Sequence, residues 1–268
     1  MTPSIYTGLA ACLLYLGSLS LQVTGLRDRP ASRRQLKTAV WLGLPALALH
    51  FGTVGLSVYS ERELNIGLFN AASLLSAVAT ALIWAASLRW PLRNLLLFTY
   101  PATIVVLLTS LFVPLPARAD IELNWGIGLH ILFSIIGYSI LAIAAVQACA
   151  VALLIRQLKH HQFHGAIKYL PPLQTMETLL FGLIWTGEIF VGLAIATGAI
   201  FLEDMLAQHL AHKTILSIMG WSVFAILLWG RHIRGWRGST AIRWTLSGFA
   251  LLILAYFGSK FVLEIVLS

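Results

Sequence analysis

At 268 residues, 59% hydrophobic and only 10% charged, the chain falls far below the charged fraction of about a quarter that soluble domains carry. Its net charge of +8 would suit a nucleic-acid partner by number alone, but the basic residues are placed as a membrane topology places them, and no nucleic acid is needed to explain them. The two cysteines, Cys12 and Cys149, each lie inside an apolar run, outside any C-x-x-C or C-x-x-C-H spacing, which argues against a dithiol redox site or a c-type haem attachment.

The first stretch, MTPSIYTGLAACLLYLGSLSLQVTGL, has no basic residue before its apolar core and a positive cluster after it. That order is the reverse of a signal peptide and predicts a retained span with its N-terminus outside. About 20 apolar residues cross the hydrocarbon core as a helix. On that measure spans are expected over 4–26, 37–59, 65–88, 93–114, 126–156, 176–202, 214–232 and 243–266. The expected fold is therefore all-α: a polytopic membrane protein, a bundle of eight transmembrane helices, forming a single transmembrane domain over 1–268.

The loops alternate in charge. Arg27, Arg29, Arg33, Arg34 and Lys37 follow the first span, Arg89 and Arg93 the third, Arg156, Lys159 and Lys168 the fifth, and Arg231, Arg234, Arg237 and Arg243 the seventh, which is 14 of the 18 basic residues on one side. The other side carries Glu61, Glu63, Asp120, Glu122, Glu203 and Asp204 against Arg62, Arg118 and Lys213. By the positive-inside rule the basic side is cytoplasmic and both termini face outward. The longest loop, with its KHHQFHG, reads as a basic membrane-surface segment rather than a metal site. His209 and His212, three apart in an outer loop, have a spacing that chelates metal in some proteins and does nothing in many others.

Because charges are scarce inside the spans, each polar group there is informative. Gly126, His130, Ser134, Gly137 and Tyr138 form one small or polar stripe on the fifth helix, which turns His130 toward other helices near the outer end, with Trp125 at the interface. The stripe leaves two readings open, a packing histidine or a ligand to something external. His50 lies nearer the membrane centre, with Gly43, Ala46, Thr53 and Ser57 on its face; an interhelical hydrogen bond and an iron ligand both suit it. His232 ends the seventh span among arginines, with Trp221 and Trp229 before it; the set is either interfacial or able to flank a planar macrocycle whose carboxylates pair with Arg231 or Arg234. Glu188 falls near the middle of the sixth span, where an ionised acid costs around 3 kcal/mol on insertion scales, so it is protonated, paired or functional. Lys260 and Glu264, one turn apart, suggest a local ion pair.

Four segments occur together in order: LHILFSIIGYSILAIAAVQACAVALLIRQLK, LPPLQTMETL, ATGAIF and GWRGSTAIRWTLSGFALLILAYFG. As a set they resemble the cytochrome c assembly family of haem-handling membrane proteins, and most of all its compact eight-span YpjD-like branch, with the core of the match over 125–260. The resemblance implies haem, of the b type, as cofactor, with histidines around the helical core as axial ligands and other membrane proteins of haem or cytochrome assembly as partners. It places His130 at the family's external histidine, His50 at a histidine of an early helix and His232 near a second membrane histidine. The family's tryptophan-rich W-G-x-W-x-W-D-P loop is replaced by LEDMLAQHLAHK, its early Gly-His-x-Pro by SERELN, and the histidine near the end of its last span by FGSKFV. The implied function is thus haem binding, transfer or sensing within the membrane rather than complete cytochrome c synthesis by this chain. No nucleophile–base or metal–water constellation marks an enzyme. The alternatives are a transporter or accessory subunit for an ion or small solute, with Glu188 on its path, or a membrane scaffold without haem.

Overall fold

The computed structural model describes residues 3–27, 33–60, 63–64, 67–90, 92–113, 124–160, 171–201, 208–262 and 265. They form eight helices long and apolar enough to cross a membrane, and every one falls on an expected span. The chain packs as two compact units, Met1–Ile121 and Glu122–Ser268.

The first unit contains α1 (Pro3–Arg27), α2 (Arg33–Val58), α3 (Leu68–Ser87) and α4 (Leu96–Phe112), the last entered through a 3-10 turn at Arg93–Leu95. A two-residue antiparallel pair, β1 (Tyr59–Ser60) with β2 (Glu63–Leu64), turns the chain between α2 and α3, with Tyr59 opposite Leu64. Each helix packs on two neighbours in the cyclic order α1, α2, α3, α4. The centre of this bundle is unusually polar for a span. Ser18 donates to the Ala39 carbonyl at 2.7 Å, Thr80 and Thr103 pair at 2.8 Å, and the Trp84 indole donates to the Val40 carbonyl at 2.7 Å. In lipid, groups like these have no water to turn to and must find partners on adjoining helices.

The second unit contains α5 (Trp125–Lys159), α6 (Leu173–Phe201), α7 (Gln208–Arg234) and α8 (Gly238–Ile253). The last span continues from α8 through a π-helical turn, Leu254–Gly258, into a final turn at Ser259–Phe261. The same cyclic adjacency holds here: α5 on α6, α6 on α7, α7 on α8, and α8 on α5. Leu141, Leu180, Ile184, Phe224, Leu227 and Leu252 fill its apolar core. The segment with His209 and His212 forms the first turns of α7. Glu264 lies outside the described residues, as does KHHQFHG beyond His160.

Gly126, His130 and Gly137 of the α5 stripe face α6, while Tyr138 packs against Tyr256 of the last span. Gly126 is buried against Phe201, and a Cβ at Gly137 would stand 2.9 Å from Val191 Cγ2 and 3.0 Å from the Val191 backbone nitrogen. A neighbour that is main chain cannot swing aside, so Gly137 sets the α5–α6 approach. Gly137→Leu is expected to destabilise the protein by about 2 kcal/mol or more through overpacking, checked by thermal denaturation in mild detergent against Gly182→Leu, at a site where an added Cβ meets nothing within 4 Å.

Candidate functional site

His130 sits in the second turn of α5, a helix whose start is fixed by Asn124: its side-chain oxygen accepts from the Ile127 N–H at 2.9 Å. The imidazole is half-buried, and its Nδ1 lies 2.7 Å from the Ala194 carbonyl oxygen on α6. A carbonyl can only accept, so Nδ1 carries the proton and donates. Nε2 is then left with its lone pair, and no hydrogen bond to it occurs among the described residues. A backbone-anchored Nδ1–H with an open Nε2 is the arrangement that fixes the tautomer and orientation of metal-binding histidines. Trp125, five residues earlier, is 77% exposed and is free to cover or stack on a guest at this end of the unit.

His50 is placed quite differently. It is fully buried at the centre of the first unit, with Nδ1 3.3 Å from the Tyr15 hydroxyl and Nε2 3.0 Å from Ser73 Oγ. Both nitrogens are thereby occupied by side chains of α1 and α3, so in this geometry neither is open to iron. Of the two readings open in the sequence, the interhelical hydrogen bond is the one this packing supports.

His232, Trp229, Arg231 and Arg234 occupy the other end of the second unit from His130, while Trp221 lies at mid-span against Gly192. Arg231, next to His232, lies 4.7 Å from the Phe181 ring centroid, while His130 is level with Ala194. Thirteen residues of α6 separate those two levels, about 20 Å at 1.5 Å per residue. His130 and His232 therefore cannot bind one iron together. Trp221, Trp229 and His232 all lie on the exposed side of α7, as their spacing suggests. Their neighbours are already engaged: Arg234 lies 5.5 Å from the Trp229 ring centroid, Arg231 donates to the Trp236 carbonyl at 3.3 Å, and the Trp221 indole donates to the Glu188 carbonyl at 3.3 Å.

One pair was not visible in the sequence pattern. Glu177, only 3% exposed, accepts from Arg237 Nε at 3.0 Å and Nη2 at 2.8 Å through one carboxylate oxygen, and from the Gly238 N–H at 3.0 Å through the other. It thus caps the start of α8 from a different helix. Gly238 stands at φ +52, in the left-handed region where glycine is favoured. The only sequence hint is an acid within the apolar TMETLL run, 60 residues from its partner.

The family model described as cytochrome C assembly protein matches residues 42–267. This chain belongs to the cytochrome c assembly protein family. It is 28% identical over 260 residues to the inner membrane protein YpjD of Escherichia coli K12, covering 96% of this chain and 98% of that protein. It is 35% identical over 144 residues to an uncharacterized 28.8 kDa protein of Azospirillum brasilense, covering 53% of each. A more distant relative is the cytochrome c biogenesis protein CcsA of Chlamydomonas reinhardtii, 24% identical over 151 residues, or 56% of this chain and 41% of that one. No solved structure matches. With eight membrane-crossing helices and a near full-length relative of the inner membrane, this family member is a multi-pass inner-membrane protein.

Proposed function

We propose that this member of the cytochrome c assembly family handles haem in the inner membrane, with His130 as an axial ligand. The observation that carries the reading is the Nδ1–H bond from His130 to the Ala194 carbonyl, which leaves Nε2 as an oriented donor. That donor chemistry fits ferrous or ferric haem, for which neutral imidazole is a standard axial ligand. Haem supplies the redox chemistry; the chain's own part is to bind and orient. His130 supplies the ligand, the Ala194 carbonyl fixes its ring plane, and Trp125 offers an aromatic face at the rim. In this reading both termini face outward, the basic ends of α5 and α7 face the cytoplasm, and the partners are haem itself and other membrane proteins of haem or cytochrome assembly. His232, Trp229, Arg231 and Arg234, at the inner end of the unit, are a separate candidate contact for the macrocycle and its carboxylates, whereas Trp221 lies at mid-span against Gly192 and the Glu188 carbonyl. His50 holds the first unit together.

The test is the visible spectrum of protein purified in mild detergent from haem-replete cells, wild type beside His130→Ala and His130→Gly. The wild type is expected to show a Soret band with reducible α and β bands. His130→Ala loses or shifts that band, and added imidazole restores it in His130→Gly, which a merely structural role for the ring would not allow. A wild type that stays colourless after incubation with hemin sinks the reading.

A further inference from the structure

Glu188 plays no part in the haem reading, and its surroundings are unusual. It lies near the middle of α6, 15 residues from one end and 13 from the other, so about 20 Å of helix separates it from either end. It is only 6% exposed, and both carboxyl oxygens are buried without a hydrogen-bond partner among the described residues. Ile184 and Val191, one turn on either side of it, belong to the apolar core of the second unit. At the same level, Gly187 meets Leu141 of α5, and Trp221 of α7 lies against Gly192.

We propose that Glu188 is a proton-binding site buried in the second unit, held there as a neutral carboxylic acid. An ionised carboxylate in this position would need a cation or several N–H donors, since burying an unpaired charge is far more costly than neutralising it. Among the described residues, neither reaches the Glu188 carboxyl oxygens. The Trp221 indole, the closest donor, is given to the Glu188 backbone carbonyl. Tyr138 of α5 packs at the edge of the core, with its ring centroid 6.5 Å from that of Tyr256. Lys260 of the last span lies with its ammonium 5.7 Å from the Tyr256 ring centroid, and among the described residues no ion pair joins it to Glu188. A metal ion is a poorer guest than a proton, because no group of three or more His, Cys, Asp or Glu side chains clusters among the described residues and hard cations want several oxygen ligands. Losing the proton would create a charge that only entering water or a cation could satisfy. Protonation of Glu188 is therefore tied to close packing of α5, α6 and α7.

Infrared spectroscopy of the purified protein in detergent at neutral pH tests this directly. The wild type should show the C=O stretch of a protonated carboxyl, and the isosteric Glu188→Gln should lose that band while the bands of the other acids stay. A spectrum with no protonated carboxyl at neutral pH, or one identical in the Gln variant, overturns the proposal. A second measurement needs only the wild type. An apolar carbodiimide adds a carboxyl oxygen to its central carbon while one of its nitrogens takes the acid proton, so it reacts with the protonated form. Peptide mass spectrometry should place one adduct on Glu188 in the folded protein. Absence of that adduct when the unfolded protein is labelled at the same peptide also overturns it. Neither readout depends on bound haem.

Discussion

Arg237→Ala is expected to cost more stability than its position at a helix boundary suggests. Its guanidinium is more than half exposed, so the Coulombic worth of the pair is screened and is not the main term. The expected cost comes from Glu177, which is 3% exposed and would be left with the Gly238 N–H as its one remaining partner. Removing one member of a buried pair costs 3–5 kcal/mol when both are buried; discounted for the exposed arginine, about 2–3 kcal/mol is the expected loss. Glu177→Gln should cost less, because an amide oxygen still accepts from Gly238 and an exposed arginine can turn to water. The double variant Glu177→Leu with Arg237→Ala should recover part of the loss of Arg237→Ala, since it removes the stranded charge. Thermal unfolding in one detergent ranks the three. If Arg237→Ala unfolds within about 1 °C of wild type, the carboxylate is not stranded and this account of the α8 cap is wrong.

The spans were legible because a bilayer demands a single local property, sustained apolarity over about 20 residues, and leaves little for tertiary context to override. The stripe from Gly126 to Tyr138 was legible for a related reason: small residues at helical spacing mark where two helices come closest, and Gly137 does meet the backbone of α6. What the sequence could not give was pairing across distance. Nothing near position 177 announces Arg237, and nothing in α2 tells which hydroxyls meet His50. The histidines illustrate the limit well. His50, His130 and His232 look alike as lone imidazoles in or beside spans. Their difference lies in whether each ring nitrogen meets a hydroxyl, a carbonyl or nothing.

That difference makes His50→Ala the more severe of the two membrane-histidine substitutions for stability, and the less severe for any bound haem. The imidazole joins the Tyr15 hydroxyl to Ser73 Oγ, and the Tyr15 ring in turn packs on Tyr100 with centroids 5.1 Å apart. Truncation to alanine strands two buried hydroxyls, at about 1–3 kcal/mol each, and opens a cavity the size of the ring. Allowing for partial relaxation, a net loss of about 3–4 kcal/mol is expected. His50→Gln should do better than alanine, because an amide offers one donor and one acceptor to the same two hydroxyls. The double variant Tyr15→Phe with Ser73→Ala should lower the cost of losing His50, since it removes the groups that would be stranded. His130→Ala is expected to cost less than about 1 kcal/mol: its half-buried ring leaves behind only the Ala194 carbonyl, which Thr197 Oγ1 also reaches at 3.1 Å. The two substitutions thus separate packing from ligation within one experiment. Melting temperature should fall mainly with His50→Ala, and the Soret band should fall mainly with His130→Ala. If the band instead disappears in His50→Gln while the melting temperature holds, then His50 is a ligand, the Tyr15–His50–Ser73 contact opens to admit iron, and the assignment of the two histidines must be reversed.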